Sequence, residues 1–286
     1  MRMSRSRLAV GTTVAVKIIA EGHCADKRLS DRKIQARELD TILNLEHTNI
    51  IQLIDYAVYD APPYATLLAL EMAWCGTIPQ VFNQGADEAQ CRAVIKQILS
   101  ALEYLHDNSI IHRDIEPENI LVIDPCPASF YCKISDFTHA KRVTLGQLSE
   151  DYQGTPYMSL ECARGQQCDH RTDVFACGKV AFWLLNGEAD TPESGSNAPP
   201  LERIVAHLES QNYEGLRRGL GCSPPCTALI SNMLSNSLSQ RPTARDCLQH
   251  EWFTTQLPDP GSCTTSLATI TQFGDPREFD DGHGFV

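Results

Sequence analysis

The stretch Ile111–Leu121, IHRDIEPENIL, sets an imidazole, a guanidinium, carboxylates and an amide within a few residues. Polar groups packed this closely each need a partner, which an ordinary strand or helix does not offer, so the stretch reads as a loop. Asp114 and Asn119 stand five apart, and seventeen residues after Asn119 comes Asp136 in the apolar-flanked run ISDFT. A base near a hydroxyl, with an amide and a second carboxylate able to hold a hard metal, is what phosphoryl transfer from a metal-bound nucleotide requires.

These residues resemble the eukaryotic protein kinases, in which HRDxxxxN carries the base and a metal ligand and DFG the main metal ligand. The resemblance implies an α+β, two-lobed kinase-like fold. Residues 1–73 would form a small, partial antiparallel β lobe with helix C, residues 74–253 a larger, mainly α-helical lobe, and residues 254–286 a disordered acidic tail. It also implies a serine/threonine kinase of the calcium/calmodulin-kinase kind, with ATP and Mg²⁺ as cofactors and proteins as substrates. Asp114 would orient the substrate hydroxyl beside Arg113, Asn119 and Asp136 would hold the metal, and Lys17, paired with Glu38, would hold the α and β phosphates. Ala15, Lys17, Leu70, Glu71, Ala73 and Leu121 would surround the nucleotide, Leu70 as gatekeeper and Glu71 to Ala73 as hinge.

Two residues depart from the family pattern: Glu116 stands where serine/threonine kinases have lysine, and Thr138 where DFG has glycine. At about 5 Å and an effective dielectric near 20, each unit charge contributes roughly 3 kcal/mol, and lysine to glutamate changes two units. Several powers of ten in rate are at stake. Threonine resists positive φ, so Thr138 is expected to act through the backbone. The alternative reading is a pseudokinase, a binding or allosteric module that keeps the fold. Small-molecule phosphotransferases share the HxDxxxxN loop but lack the landmarks Ser159-Leu160-Glu161, Asp173 and Arg241.

The 286 residues are 42% hydrophobic, enough to bury a sizeable core. A net charge of -12 argues against general binding to nucleic acid or membrane surfaces and suits a basic partner. In basophilic kinases, acidic positions matching Glu118 and Glu202 read substrate arginines. The start MRMSRSRLAVG lacks the apolar core of a signal peptide. No apolar run reaches the roughly 18 residues of a membrane span. A soluble intracellular protein, cytoplasmic or nuclear, is expected, its oligomeric state open. The 12 cysteines include no CxxC pair, the nearest spacings being Cys162 to Cys168 and Cys222 to Cys226. Cys91, Cys177 and Cys247 fall in helix-like patterns, so free cysteines acting as small apolar residues are expected rather than a metal site.

Along the chain, LAVGTTVAVKII reads as two strands around a Gly-Thr turn, with Ala15, Lys17 and Ile19 on one face. The GxGxxG loop expected upstream is missing, so a truncated amino terminus is inferred. Ser30 caps a helix from Asp31 to about Leu45, and Glu38 lies on its apolar stripe, where it needs a cation. NIIQLIDYAVYD and YATLLALEMA read as strands around Pro62 and Pro63. Asp87 and Gln90 form a capping box for a helix with stripe Cys91, Val94, Ile98, Leu102 and Leu105. ILVID and YCKISD form a strand pair, which places Asn119 and Asp136 at opposite ends of a hairpin-like unit. GTPYMSLE resembles the end of an activation segment, Glu161 being paired with Arg241, and Asp151 would offer Arg113 a permanent negative charge. RTDVFACGKVAFWLLNG is apolar around its circumference, a central helix whose Asp173 binds the HRD backbone. Ile42, Leu53, His112 and Phe137 would form a hydrophobic spine anchored on Asp173. Three amphipathic helices follow, at Leu201 to Leu208, Thr227 to Leu234 and Thr243 to Phe253.

Overall fold

The computed structural model describes residues 2–3, 13–20, 38–59, 65–143, 155–166, 168–187, 200–210 and 222–254. All belong to one compact unit, Met1–Thr255. The Gly11 turn, the Ser30 cap, Pro62 and Pro63, Asp151 and the acidic tail lie outside the described residues. The protein has two lobes, a small antiparallel sheet with one helix and a larger helical lobe.

The small lobe is a four-stranded sheet in the order β1-β3-β4-β2, built from β1 (Arg2–Met3), β2 (Val14–Ala20), β3 (Leu53–Tyr59) and β4 (Ala65–Glu71). Period-two alternation shows in β2: Val16 and Ile18 are exposed, whereas Ala15, Lys17 and Ile19 turn to the sheltered face. The described part of helix α1, residues 38–42, lies against that face with Glu38 and Ile42 buried.

The large lobe is organised on two helices, α3 (Glu88–Asp107) and α5 (Arg171–Asn186). The capping box opens α3: the Asp87 carboxylate accepts the Gln90 N–H at 2.8 Å and Gln90 accepts the Asp87 N–H at 2.9 Å. The expected stripe is buried. In α5 every residue from Thr172 to Ala181 is buried, as its apolar circumference requires, and Gly187 ends it at φ 75°. Short α2 (Ile78–Val81) and α4 (Leu160–Ala163), then α6 (Pro200–Ser210), α7 (Pro224–Met233), α8 (Ala244–Leu248) and α9 (Glu251–Thr254), surround this pair. A Cβ on Gly178 would meet the Met233 Cβ at 3.0 Å, so glycine lets α5 approach α7 closely. No helix among the described residues is long and apolar enough to cross a membrane.

Three expectations change. The final helix is two, because His250 Nδ1 accepts the Trp252 N–H at 3.2 Å and starts a new turn. Cys162 and Cys168 form a disulfide across a Cα separation of 5.8 Å. Their spacing of six carries no pairing signal until the turn after α4 folds back. Third, β6 (Ile120–Asp124) pairs with β7 (Tyr131–Ile134) in the register Ile120↔Ile134. Antiparallel pairing in that register puts Asn119 and Asp136 at the same open end.

Glu161 and Arg241 are buried and joined by two parallel bonds, Nη1 to Oε1 at 2.6 Å and Nη2 to Oε2 at 3.1 Å. Arg241 also donates to the Ser235 and Arg171 carbonyls and stacks 4.9 Å from the Phe175 ring centroid. Burial raises the Glu161 pKa, but Arg241 outweighs it and holds the carboxyl below its usual range. Removing one partner leaves an uncompensated buried charge, so Glu161→Ala is expected to lose ~3–5 kcal/mol in denaturant unfolding. A loss below ~1 kcal/mol would show that the pair does not hold the lobe together.

Candidate active site

The loop at Ile111–Leu121 begins where β5 (Ile110–Ile111) pairs with β8 (Lys141–Arg142), so the segment bearing Asp114 starts beside the end of the segment bearing Asp136. Arg113 sits at φ 68°, a costly conformation for a side chain with a Cβ. What holds it is Asp173, buried in the first turn of α5. Its Oδ2 accepts the His112 N–H at 2.9 Å and its Oδ1 the Arg113 N–H at 2.8 Å, while His106 Nε2 lies 2.9 Å from Oδ2. Burial pushes the Asp173 pKa up, but these donors outweigh it, so the group stays ionised. His112 Nδ1 accepts the Asp114 N–H at 3.3 Å, and Nε2 donates to the Ser135 carbonyl at 3.1 Å. Burial lowers its pKa, in keeping with a neutral ring. That ring meets Phe137 edge-on at 4.9 Å, and Ile42, Leu53 and Phe137 join the same apolar core.

Asn119 Nδ2 donates to the Asp114 carbonyl and to its Oδ2, both at 2.9 Å. That leaves the Asn119 amide oxygen as the atom a cation would use. Asp136 comes beside it because Ser135 donates its N–H to the Asn119 carbonyl at 2.9 Å. An amide oxygen and a partly exposed carboxylate form an all-oxygen donor set, which fits Mg²⁺ better than a soft metal.

The third cluster comes from the small lobe. Lys17 Nζ lies 2.8 Å from Glu38 Oε1, 2.8 Å from Asp136 Oδ1 and 2.8 Å from Thr138 Oγ1. The Thr138 hydroxyl in turn reaches Asp136 Oδ1 at 2.6 Å and Glu38 Oε2 at 2.9 Å. Burial pulls the Lys17 pKa down, but the two carboxylates more than restore it. Burial pushes Asp136 up, yet Lys17 and Thr138 hold it at about 2. Thr138 is not among the residues with positive φ, so this backbone needs no glycine; the strained residue is Asp136, at φ 61°. Thr138 therefore acts through its hydroxyl, a role that the pattern of a glycine position concealed.

Glu116, half-buried, has its pKa pushed up to about 7 by burial and then by Asp114, Glu118 and Asp136. It is thus only about half charged at neutral pH, and the charge reversal read from the sequence is softened. Around the expected nucleotide position, Ala15 pairs with Leu70 across β2 and β4, and Leu121 bridges to Thr77. Glu71 does more than end β4: its Oε1 accepts Lys133 Nζ at 2.5 Å and the Gln52 N–H at 2.7 Å. Its side chain is thereby tied between β7 and the segment before β3, while Ala73 follows in the connection to α2. Lys133 carried no motif that would have singled it out. Arg113 Nε donates to the His139 carbonyl at 2.5 Å; its expected partner, Asp151, lies outside the described residues.

The protein kinase domain family matches residues 5–253. Calcium-dependent protein kinase 4 of Plasmodium falciparum is 29% identical over 271 residues, 92% of this chain and 50% of that protein. Calcium/calmodulin-dependent protein kinase type IV of Homo sapiens is 29% identical over 255 residues, 88% of this chain and 52% of that protein. A probable myosin light chain kinase of Dictyostelium discoideum is 30% identical over 246 residues, 85% of this chain and 60% of that protein. The chain thus spans about half the length of the first two and about three-fifths of the third. A family match spanning nearly the whole described fold agrees with the order of the landmarks from Lys17 to Arg241, and the chain belongs to the protein kinase domain family.

Proposed function

We propose that the chain is a serine/threonine protein kinase that transfers the γ-phosphate of MgATP to protein hydroxyls, at a rate weakened by Glu116. The observation that carries this reading is the junction of Lys17, Glu38 and Asp136 over the Asp114–Asn119 loop. Lys17, oriented by Glu38, would bind the α and β phosphates, and Asp136 and Asn119 would hold Mg²⁺ through their side-chain oxygens. When bound, Mg²⁺ neutralises charge on the phosphates. Asp114 would orient the substrate hydroxyl and accept its proton, and Asn119 fixes the Asp114 carboxylate for that step. Glu118 and Glu202, both exposed, together with the net charge of -12, support basic, arginine-containing substrates. A serine/threonine-protein kinase of Arabidopsis thaliana among the relatives supports the serine/threonine class.

One observation favours a second reading, a nucleotide-independent binding module. Asp136 Oδ1 already accepts Lys17 Nζ, the Thr138 hydroxyl and the Thr138 N–H, so the junction is satisfied by the chain itself. Under the kinase reading, Asp114→Asn is expected to lower phosphorylation of a basic serine peptide about 10²–10⁴-fold. Glu116→Lys is expected to raise it on the order of 10²-fold. If neither the native chain nor Glu116→Lys turns over, and MgATP leaves the thermal transition of both unmoved, the binding-module reading replaces it.

The raised Glu116 pKa also predicts a pH effect without nucleotide. The folded chain holds this proton more tightly than the unfolded chain, so the stabilisation is present below the usual 4.5 and is lost as pH rises through about 7. Glu116→Gln is therefore expected to raise Tm at pH 8 and leave it unchanged at pH 4.5. Allowing for the partial exposure of the side chain, the gain at pH 8 is about 1 kcal/mol or a few degrees. An equal effect at both pH values would contradict the assignment.

A further inference from the structure

Away from the loop, Glu88 at the first turn of α3 faces Cys222 and Cys226 at the start of α7, and one ligand atom from each lies within 4.8 Å of the others. The carboxylate is held firmly in place. Its Oε1 accepts the Ser223 hydroxyl at 2.5 Å and the Trp252 indole N–H at 2.9 Å, and its Oε2 accepts the Ser223 N–H at 2.8 Å. A carboxylate has about four acceptor positions, two on each oxygen, so one remains on Oε2. The two sulfurs are hydrogen-bonded to one another, which depresses the Cys222 thiol pKa and, with burial, raises that of Cys226. Cys226 is fully buried in the first turn of the ten-residue helix α7, whose dipole favours a thiolate there. Cys91, one turn after Glu88, instead donates its thiol to the Ala181 carbonyl at 3.7 Å.

Two thiols and a carboxylate converging on one point select a borderline-soft, tetrahedral cation over the hard ions that suit Asp136 and Asn119. We propose that Glu88, Cys222 and Cys226 bind one Zn²⁺, with water in the fourth position. Both thiols lose their protons on binding, so two protons are released per metal ion and no oxidant is needed. The ion would join the starts of α3 and α7, and the hydrogen bonds of Glu88 would extend that tie to Trp252 in α9. Its role is structural, and it does not depend on phosphotransfer.

Full-length chain, reduced and stripped with a chelator, is titrated with Co²⁺ as the probe and then with Zn²⁺ as competitor. The expected result is one equivalent of tetrahedral Co²⁺ with thiolate-to-cobalt charge transfer and release of two protons as it binds, followed by displacement by Zn²⁺ with no further proton release. Cys222→Ser and Cys226→Ser are each expected to weaken binding at least about 10-fold, and Glu88→Gln about 10-fold. Exposed Cys126→Ser is expected to leave it unchanged. Absence of charge transfer in folded native chain, no proton release, or binding unaffected by Cys222→Ser would overturn the proposal. So would a Cys222–Cys226 disulfide in protein isolated under reducing conditions. Proton release on the native chain decides the matter even if a variant fails to fold.

Discussion

The carboxylate of Asp173 is the interaction on which the site depends. A buried charge is tolerated only when it is hydrogen-bonded, and here two backbone N–H groups and a histidine supply the bonds. Because those amides belong to His112 and Arg113, satisfying the charge also fixes the left-handed turn at Arg113. That turn directs the chain towards Asp114 and, five residues on, Asn119. The site thus takes its geometry from the long helices of the large lobe, whose packing is apolar and rigid, and not from the loop itself.

A second constraint couples the lobes. Lys17 reaches from the sheet to Glu38 and Asp136, and the Thr138 hydroxyl joins the same cluster. Glu71 and Lys133 form another link between the end of β4 and β7. Both ties are charge-assisted and partly shielded, so each is stronger than an exposed surface pair. Thr138 replaces backbone freedom with a hydroxyl that satisfies Asp136, which explains how the position tolerates a β-branched residue.

Much of this was legible in the sequence, for a physical reason. The α3 stripe and the all-round apolar α5 are local periodicities, and a local period survives folding. Glu38 on an apolar stripe and Lys17 in an apolar strand announced a pair because an unpaired buried charge is so unfavourable. What remained hidden depended on distant neighbours. No spacing shows that Glu71 meets Lys133, that Cys162 meets Cys168, or that Glu116 is crowded enough by Asp114 and Asp136 to titrate near 7. The placement of Asn119 and Asp136 failed for a different reason: it overlooked that an antiparallel register brings the outer ends of two strands together.

If Asp173 organises the loop, its effect is most directly visible in the exchange of the two amides it accepts. Native-state hydrogen exchange of His112 and Arg113, compared with the α3 amides, measures it. In the native chain both are expected to exchange as slowly as the core of α3. In Asp173→Asn they are expected to exchange orders of magnitude faster while α3 stays protected. Amides of His112 and Arg113 that kept their protection in that variant would contradict the account.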